Sequence, residues 1–141
     1  MARIKIDLPQ SFVFSTTVTV RITDINYGGH LGNDALLSIV HEARLQFLKH
    51  YGYTEIDIEG RSIIMADAAV VYKSEVFYGD TLRIDIAVTD LGRMSCDIVY
   101  RVSNNDTGKE VARVKTGIVF FDYEERKPVA IPDNFRKTFD E

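Results

Sequence analysis

The stretch Arg21-Ile-Thr-Asp24-Ile-Asn26-Tyr-Gly28-Gly29-His30-Leu-Gly32-Asn33 governs the reading of everything around it. Three glycines fall within five positions, among Asp24, Asn26, His30 and Asn33. Glycine admits left-handed backbone and close approach of other groups, so this is an irregular loop rather than a strand or helix. It lies between a β-branched run and a helical pattern. Polar side chains are thereby placed beside the free N–H groups of a helix start, where partial positive charge accumulates. That combination marks it as the candidate active-site loop.

Upstream, residues 12–22 are β-branched and aromatic, and Val18, Val20 and Ile22 alternate with Thr19 and Arg21, which predicts a strand with one buried face. Downstream, Asn33 or Asp34 is a suitable N-cap. From Ala35 to about Tyr51, Leu36, Ile39, Val40, Ala43, Phe47 and Tyr51 recur at helical spacing, widened by Leu37, Arg44 and Leu48. A stripe that wide calls for a large apolar partner such as a sheet. Gly52 follows as the helix-ending residue.

After a short acidic connector (53–60), the pattern is extended almost throughout. Strands are predicted over 62–76, 81–89, 94–102 and 110–122. The Tyr78-Gly79-Asp80 and Leu91-Gly92-Arg93 turns and the Asn104–Gly108 hairpin signal separate them. In 81–89, Leu82, Ile84, Ile86 and Val88 share one face, with Arg83 and Asp85 on the other. A short terminal helix is expected over 133–139, after Pro132. One strand, a long helix and then four strands in a meander give an α+β domain: a five- or six-stranded antiparallel sheet wrapped around one helix. Its unpaired edge strands predict pairing between subunits, hence a homodimer with tetramers open.

Size and composition set the limits. A chain of 141 residues suits one domain spanning 1–141 with a substantial core. The net charge of -4 and the lack of a basic cluster argue against a nucleic-acid partner. The single cysteine, Cys96, fits a reducing, cytoplasmic setting. No apolar run reaches the roughly 18 residues of a membrane span, and the N-terminus does not read as a signal peptide. No metal site is expected, because His30, His41 and His50 lack close ligand pairing.

These features together resemble the hotdog-fold thioesterases of the 4-hydroxybenzoyl-CoA thioesterase and acyl-CoA thioesterase type. The resemblance covers about residues 12–135. The family loop reads roughly D-T-D-x-x-G-H-V-N-N, and the matching run here is Asp24-Ile-Asn26-Tyr-Gly-Gly29-His30-Leu-Gly-Asn33. Glu42-Ala-Arg44 matches the helix E-x-R, and Tyr78-Gly79-Asp80 matches a Y-G-D turn. Phe121 to Pro132 matches a D-x-x-x-R-K-P-x-x-I-P ending. The resemblance implies hydrolysis of an acyl-CoA or acyl-carrier-protein thioester. Coenzyme A enters as part of the substrate, and no cofactor is needed.

The chain departs from that pattern at one point. The second acid of D-T-D, the family's catalytic carboxylate, is Asn26 here. An amide cannot act as a general base near neutral pH, though it can position water or a carbonyl. Asp24, Glu42 and His30 remain as candidates for the base or nucleophile. Asp24 can instead tie down the loop, Glu42 can pair with Arg44 or with a residue of a partner chain, and His30 can simply be satisfied by backbone. The carbonyl oxygen that gains charge needs preorganised donors. The resemblance assigns these to backbone around Gly29, Asn33 and Asp34, at the helix start. Tyr27, Ile64, Met65 and Tyr72 are candidate acyl-channel residues, and Lys73, Arg93, Lys115, Arg126 and Lys127 candidate phosphate partners. Two alternatives stay open: a hotdog enoyl-CoA hydratase or dehydratase, from the likeness of Asp24-x-Asn26-x-x-x-His30 to D-x-N-P-x-H, and a non-catalytic acyl-CoA-binding module.

Overall fold

The computed structural model describes residues 1–140. The elements run β1 (Phe14–Thr19), α1 (Asn33–His50), β2 (Ser62–Tyr72), β3 (Thr81–Thr89), β4 (Ser95–Asn104), β5 (Glu110–Asp122), β6 (Lys127–Pro128) and α2 (Asp133–Phe139). The strands form one antiparallel six-stranded sheet in the order β1-β3-β4-β5-β2, with β6 paired to the end of β5. The α+β expectation of a long helix against such a sheet holds.

The connectivity differs from a four-strand meander. Only β3, β4 and β5 follow one another as hairpins; β2 lies beyond β5, paired from Ser62↔Phe121 to Tyr72↔Ala112. Alternation reports which face a residue takes, not which neighbour its strand finds. β1 and β2 therefore occupy the two edges. β2 also stops short of the predicted Val76. The N–H groups of Lys73 and Ser74 both turn to the Val111 carbonyl, at 2.8 and 3.2 Å, and the chain leaves the ladder. β1 likewise ends at Thr19, because Ile22–Asp24 winds into a single 3₁₀ turn.

The stripe of α1 meets the even-numbered face of β3 and β4. Leu36, Ile39, Val40, Ala43, Phe47 and Leu48 join Leu82, Ile84, Ile86, Ile98, Tyr100 and Val102 in one buried cluster. At the C-terminal end of α1, α2 closes this core with aromatic side chains. Phe139 packs at a tilt against Phe47 (5.6 Å between centroids) and Phe135 meets Phe120 edge-on (5.1 Å). Such pairs add stability beyond the area they bury. The opposite sheet face is not simply solvated. Asp85 is buried between Arg83 and Arg101, and Phe12 of the N-terminal segment lies 4.6 Å from the Arg101 guanidinium. Among the described residues no helix is long and apolar enough to cross a membrane.

With one end of α1 sealed by aromatics, its N-terminal end is left for the glycine loop.

Candidate active site

The loop is held mainly by its own backbone. Asn26 N–H donates to the His30 carbonyl (2.9 Å), Gly29 N–H to the Asn26 carbonyl (3.1 Å) and Gly32 N–H to the Asp24 carbonyl (2.9 Å). Leu31 N–H donates to the Val76 carbonyl (2.7 Å), which joins the loop to the chain leaving β2. The Tyr78-Gly79-Asp80 turn braces the entry: Val20 and the turn exchange bonds through Asp80 O and Gly79 N, and the Asp80 carboxylate accepts from Phe77 N–H at 3.0 Å.

Gly32, not Asn33 or Asp34, is the N-cap of α1, and no side chain caps it. The position is crowded, since a Cβ there would stand 2.8 Å from the Asp34 carboxylate and 3.6 Å from the Asp24 carbonyl. Asn33 and Asp34 thus become the first two helical residues. The first-turn N–H groups are not consumed by a capping side chain and remain available to an acceptor.

Beside this helix start lies a cavity of about 470 Å³. Leu31, Leu36, Val76 and Val111 give it apolar walls, while Asn26, His30, Asn33, Tyr72, Lys73, Ser74 and Glu75 supply polar groups. An apolar chamber with a few convergent polar groups is the usual form of a small-molecule site. Asn26 Oδ1 accepts from Gly28 N–H at 2.9 Å, so its amide NH₂ is free to donate. His30 Nδ1 lies 3.3 Å from the Leu31 carbonyl, an acceptor; the neutral tautomer that donates there carries its lone pair on Nε2. Nε2 is 3.9 Å from Glu75 Oε1. The Tyr72 hydroxyl donates to the Asn33 carbonyl at 2.9 Å. Burial, helped by the Asp34 carboxylate, pushes that phenol up, so it stays protonated and keeps donating.

Thus the cavity brings together Asn26, His30 and Asn33 of the expected set. The other expected residues stand elsewhere. Asp24 is buried with its carboxylate accepting from Arg21 N–H at 2.8 Å, the loop-tying arrangement. Glu42 is exposed and accepts from Gln46 at 2.7 Å; the pair with Arg44 is not formed. Arg44 is committed to Glu55 (3.0 Å) and the Tyr100 hydroxyl (3.2 Å). Gly29 is outside the cavity lining and its N–H is already bonded within the loop. Asp34 sits beside the cavity's helix start without lining it. Of the candidate channel residues only Tyr72 lines the cavity, and Tyr27 is fully exposed. Among the candidate phosphate partners, Lys73 is the one at the cavity, with Nζ 3.7 Å from Glu110. Glu75 was not singled out by the sequence, where it is one acid at the end of an apolar strand pattern.

A family model described as the thioesterase-like superfamily matches residues 20–139.

The chain belongs to that superfamily. It is a thioester hydrolase whose substrate the family leaves unspecified, in line with the resemblance carried by the loop, the turn and the C-terminal run. The thioesterase shares its fold with several solved structures. A 1,4-dihydroxy-2-naphthoyl-CoA thioesterase from Synechocystis superposes with a TM-score of 0.81 at 19% identity, over 89% of this chain and 94% of that one. A predicted thioesterase from Bacillus stearothermophilus gives 0.78 at 21% identity, over 89% and 92%. A 12:0-ACP thioesterase from Umbellularia californica gives 0.74 at 18% identity, over 88% of this chain and 51% of that one. At such identities the likeness establishes the hotdog fold and leaves substrate to the site itself. No curated protein matches the chain by sequence.

Proposed function

We propose that the thioesterase hydrolyses an acyl-CoA or acyl-carrier-protein thioester in the cavity at the start of α1. The observation that carries this reading is the pairing of apolar walls with the free lone pair of His30 and the free amide of Asn26. Leu31, Leu36, Val76 and Val111 receive the acyl group. Asn26 NH₂ and the first-turn N–H of Asn33 face the thioester oxygen, where donors count most as negative charge develops. The dipole of an 18-residue helix adds to them.

His30 Nε2 takes a proton from water as the water oxygen attacks the carbonyl carbon. The C–S bond of the tetrahedral intermediate then breaks, and the thiolate recovers the proton from Nε2. Acid and thiol leave, and the imidazole is restored. Asp24 maintains the loop, and Glu42 takes no part.

The working unit is a homodimer. β2 has one edge paired with β5 and the other free, and the middle of this 11-residue strand, Met65 to Ala68, is exposed. An 11-residue free edge that exposes Met65, Ala66 and Ala68 around the Asp67–Lys115 pair is a template for another strand, and a second copy is the closed, symmetric way to cover it.

Thiol release from short, long and aromatic acyl-CoAs tests the reading, with His30→Ala, Asn26→Ala and Glu42→Ala beside the wild type. Turnover should fall by about a hundredfold in His30→Ala, by somewhat less in Asn26→Ala, and hardly at all in Glu42→Ala. Silence of the wild type across acyl-CoA and acyl-carrier substrates would overturn it.

A further inference from the structure

The imidazole of His30 becomes cationic during the proposed reaction, and its side chain, 37% exposed at the cavity wall, gains from an opposite charge within ion-pair distance. Neither acid of the loop region answers that charge. The Asp24 carboxylate is engaged by Arg21, and Asp34 does not line the cavity. The carboxylate that does line it is Glu75, whose Oε1 stands 3.9 Å from His30 Nε2.

This juxtaposition is built into the backbone. Leu31 and Val76, the next residues after His30 and Glu75, are joined by the 2.7 Å hydrogen bond between loop and strand exit. On the other side, Lys73 N–H and Ser74 N–H are fixed to the Val111 carbonyl, and Ser74 Oγ donates to the Glu110 carbonyl at 2.8 Å. The segment carrying Glu75 is therefore anchored from two directions, although its side chain is 67% exposed. A solvated rim acid on a mobile loop would have no such anchorage.

We propose that Glu75 is the positioning carboxylate of the site, standing against His30 and stabilising the imidazolium that forms when Nε2 takes the proton from water. The inference rests on the thioesterase reading above. Glu75 acts through His30: the proton stays on Nε2 and returns to the departing thiolate, and the carboxylate keeps its charge throughout. At 3.9 Å the pair lies within ion-pair range and beyond hydrogen-bond distance. Exclusion of water by a bound acyl group strengthens their attraction during turnover.

The test is steady-state kinetics on a thioester that the wild type hydrolyses, with Glu75→Gln, Glu75→Asp, His30→Ala and the Glu75→Gln/His30→Ala double variant. Glu75→Gln should lower kcat by about tenfold to a hundredfold with KM nearly unchanged. Glu75→Asp should recover part of that loss. In the His30→Ala background, Glu75→Gln should cost nothing further. Wild-type kcat in Glu75→Gln, or the same fractional loss with and without His30, would overturn the assignment while leaving the thioesterase reading intact. A wild type silent on every thioester would overturn both.

Discussion

Helix α1 carries a polar cluster at its first turn and another in its third, and the two are built on opposite terms. In the third turn, Arg44 is buried and every contact is closed. Its guanidinium donates to Glu55 and to Tyr100, Tyr100 shares a 2.9 Å bond with Thr116, and His41 completes the Glu55 carboxylate at 2.9 Å. At the first turn, Asn26 keeps a free amide, His30 a free lone pair, and Glu75 a contact of 3.9 Å that is not yet a hydrogen bond. A satisfied buried network specifies structure, while an open one leaves donors and acceptors for something that arrives later. The burial of Arg44 also explains why it falls within the apolar stripe: the stem packs like a hydrophobe and the head is neutralised at depth.

This contrast can be broken from either side. The largest effect is expected from Arg44→Ala, which removes a buried side chain and the donor shared by Glu55 and Tyr100 and should cost about 3 kcal/mol of stability. Thermal unfolding would show a fall of about 10 °C, with kcat of the folded fraction close to that of the wild type. Loss of kcat without loss of stability would merge the two clusters into one.

Gly28→Ala should do the reverse. A Cβ there would meet Asn26 Oδ1 at 3.3 Å and His30 Nε2 at 3.4 Å, so the Asn26 amide must give by a few tenths of an ångström beside a histidine already at contact. Turnover should fall by about tenfold, or ~1.4 kcal/mol of barrier, with the melting temperature nearly unchanged. An unchanged kcat would show that these two side chains need not hold their positions.

The smallest effect concerns acid. Burial raises the Glu55 carboxyl, but hydrogen bonds from His41 and Arg44 outweigh it and leave the group below its ordinary value. A carboxyl held lower in the folded chain than in the unfolded one contributes stability above the ordinary carboxylate range. That contribution is lost as pH falls below about 4. Denaturant titrations at several pH values should show this limb and should show it flattened in Glu55→Gln. The side chain is 27% exposed, so solvent screening keeps the change modest.

Local physics was legible wherever it decided the outcome. β3 at Thr81–Thr89, β5 at Glu110–Asp122 and α2 at Asp133–Phe139 fall where alternation, turn residues and Pro132 place them. The placement of β2 beside β5 was not legible, because pairing partners far apart in sequence leave no periodic trace. The same holds at the site. Asn26, His30 and Asn33 are gathered by their own loop and could be read from it. Glu75 reaches them through one backbone bond across 45 positions, from Leu31 to Val76, and nothing in Lys73-Ser74-Glu75 announces it. Gly32 displaced the expected cap for a comparable reason, since the Asp34 carboxylate folds back to within 2.8 Å of where a Cβ would stand.

The loop's framework is written largely in main-chain atoms: Asn26 to His30, Gly29 to Asn26, Gly32 to Asp24 and Leu31 to Val76. Such bonds are indifferent to the side chains at positions 26 and 30. Mutational drift at those two positions can therefore exchange an acid for an amide, or one base for another, while the chamber and its helix start persist. The scaffold behaves as a socket into which different reagents can be fitted, and the amide at position 26 is one fitting among those the same backbone can hold.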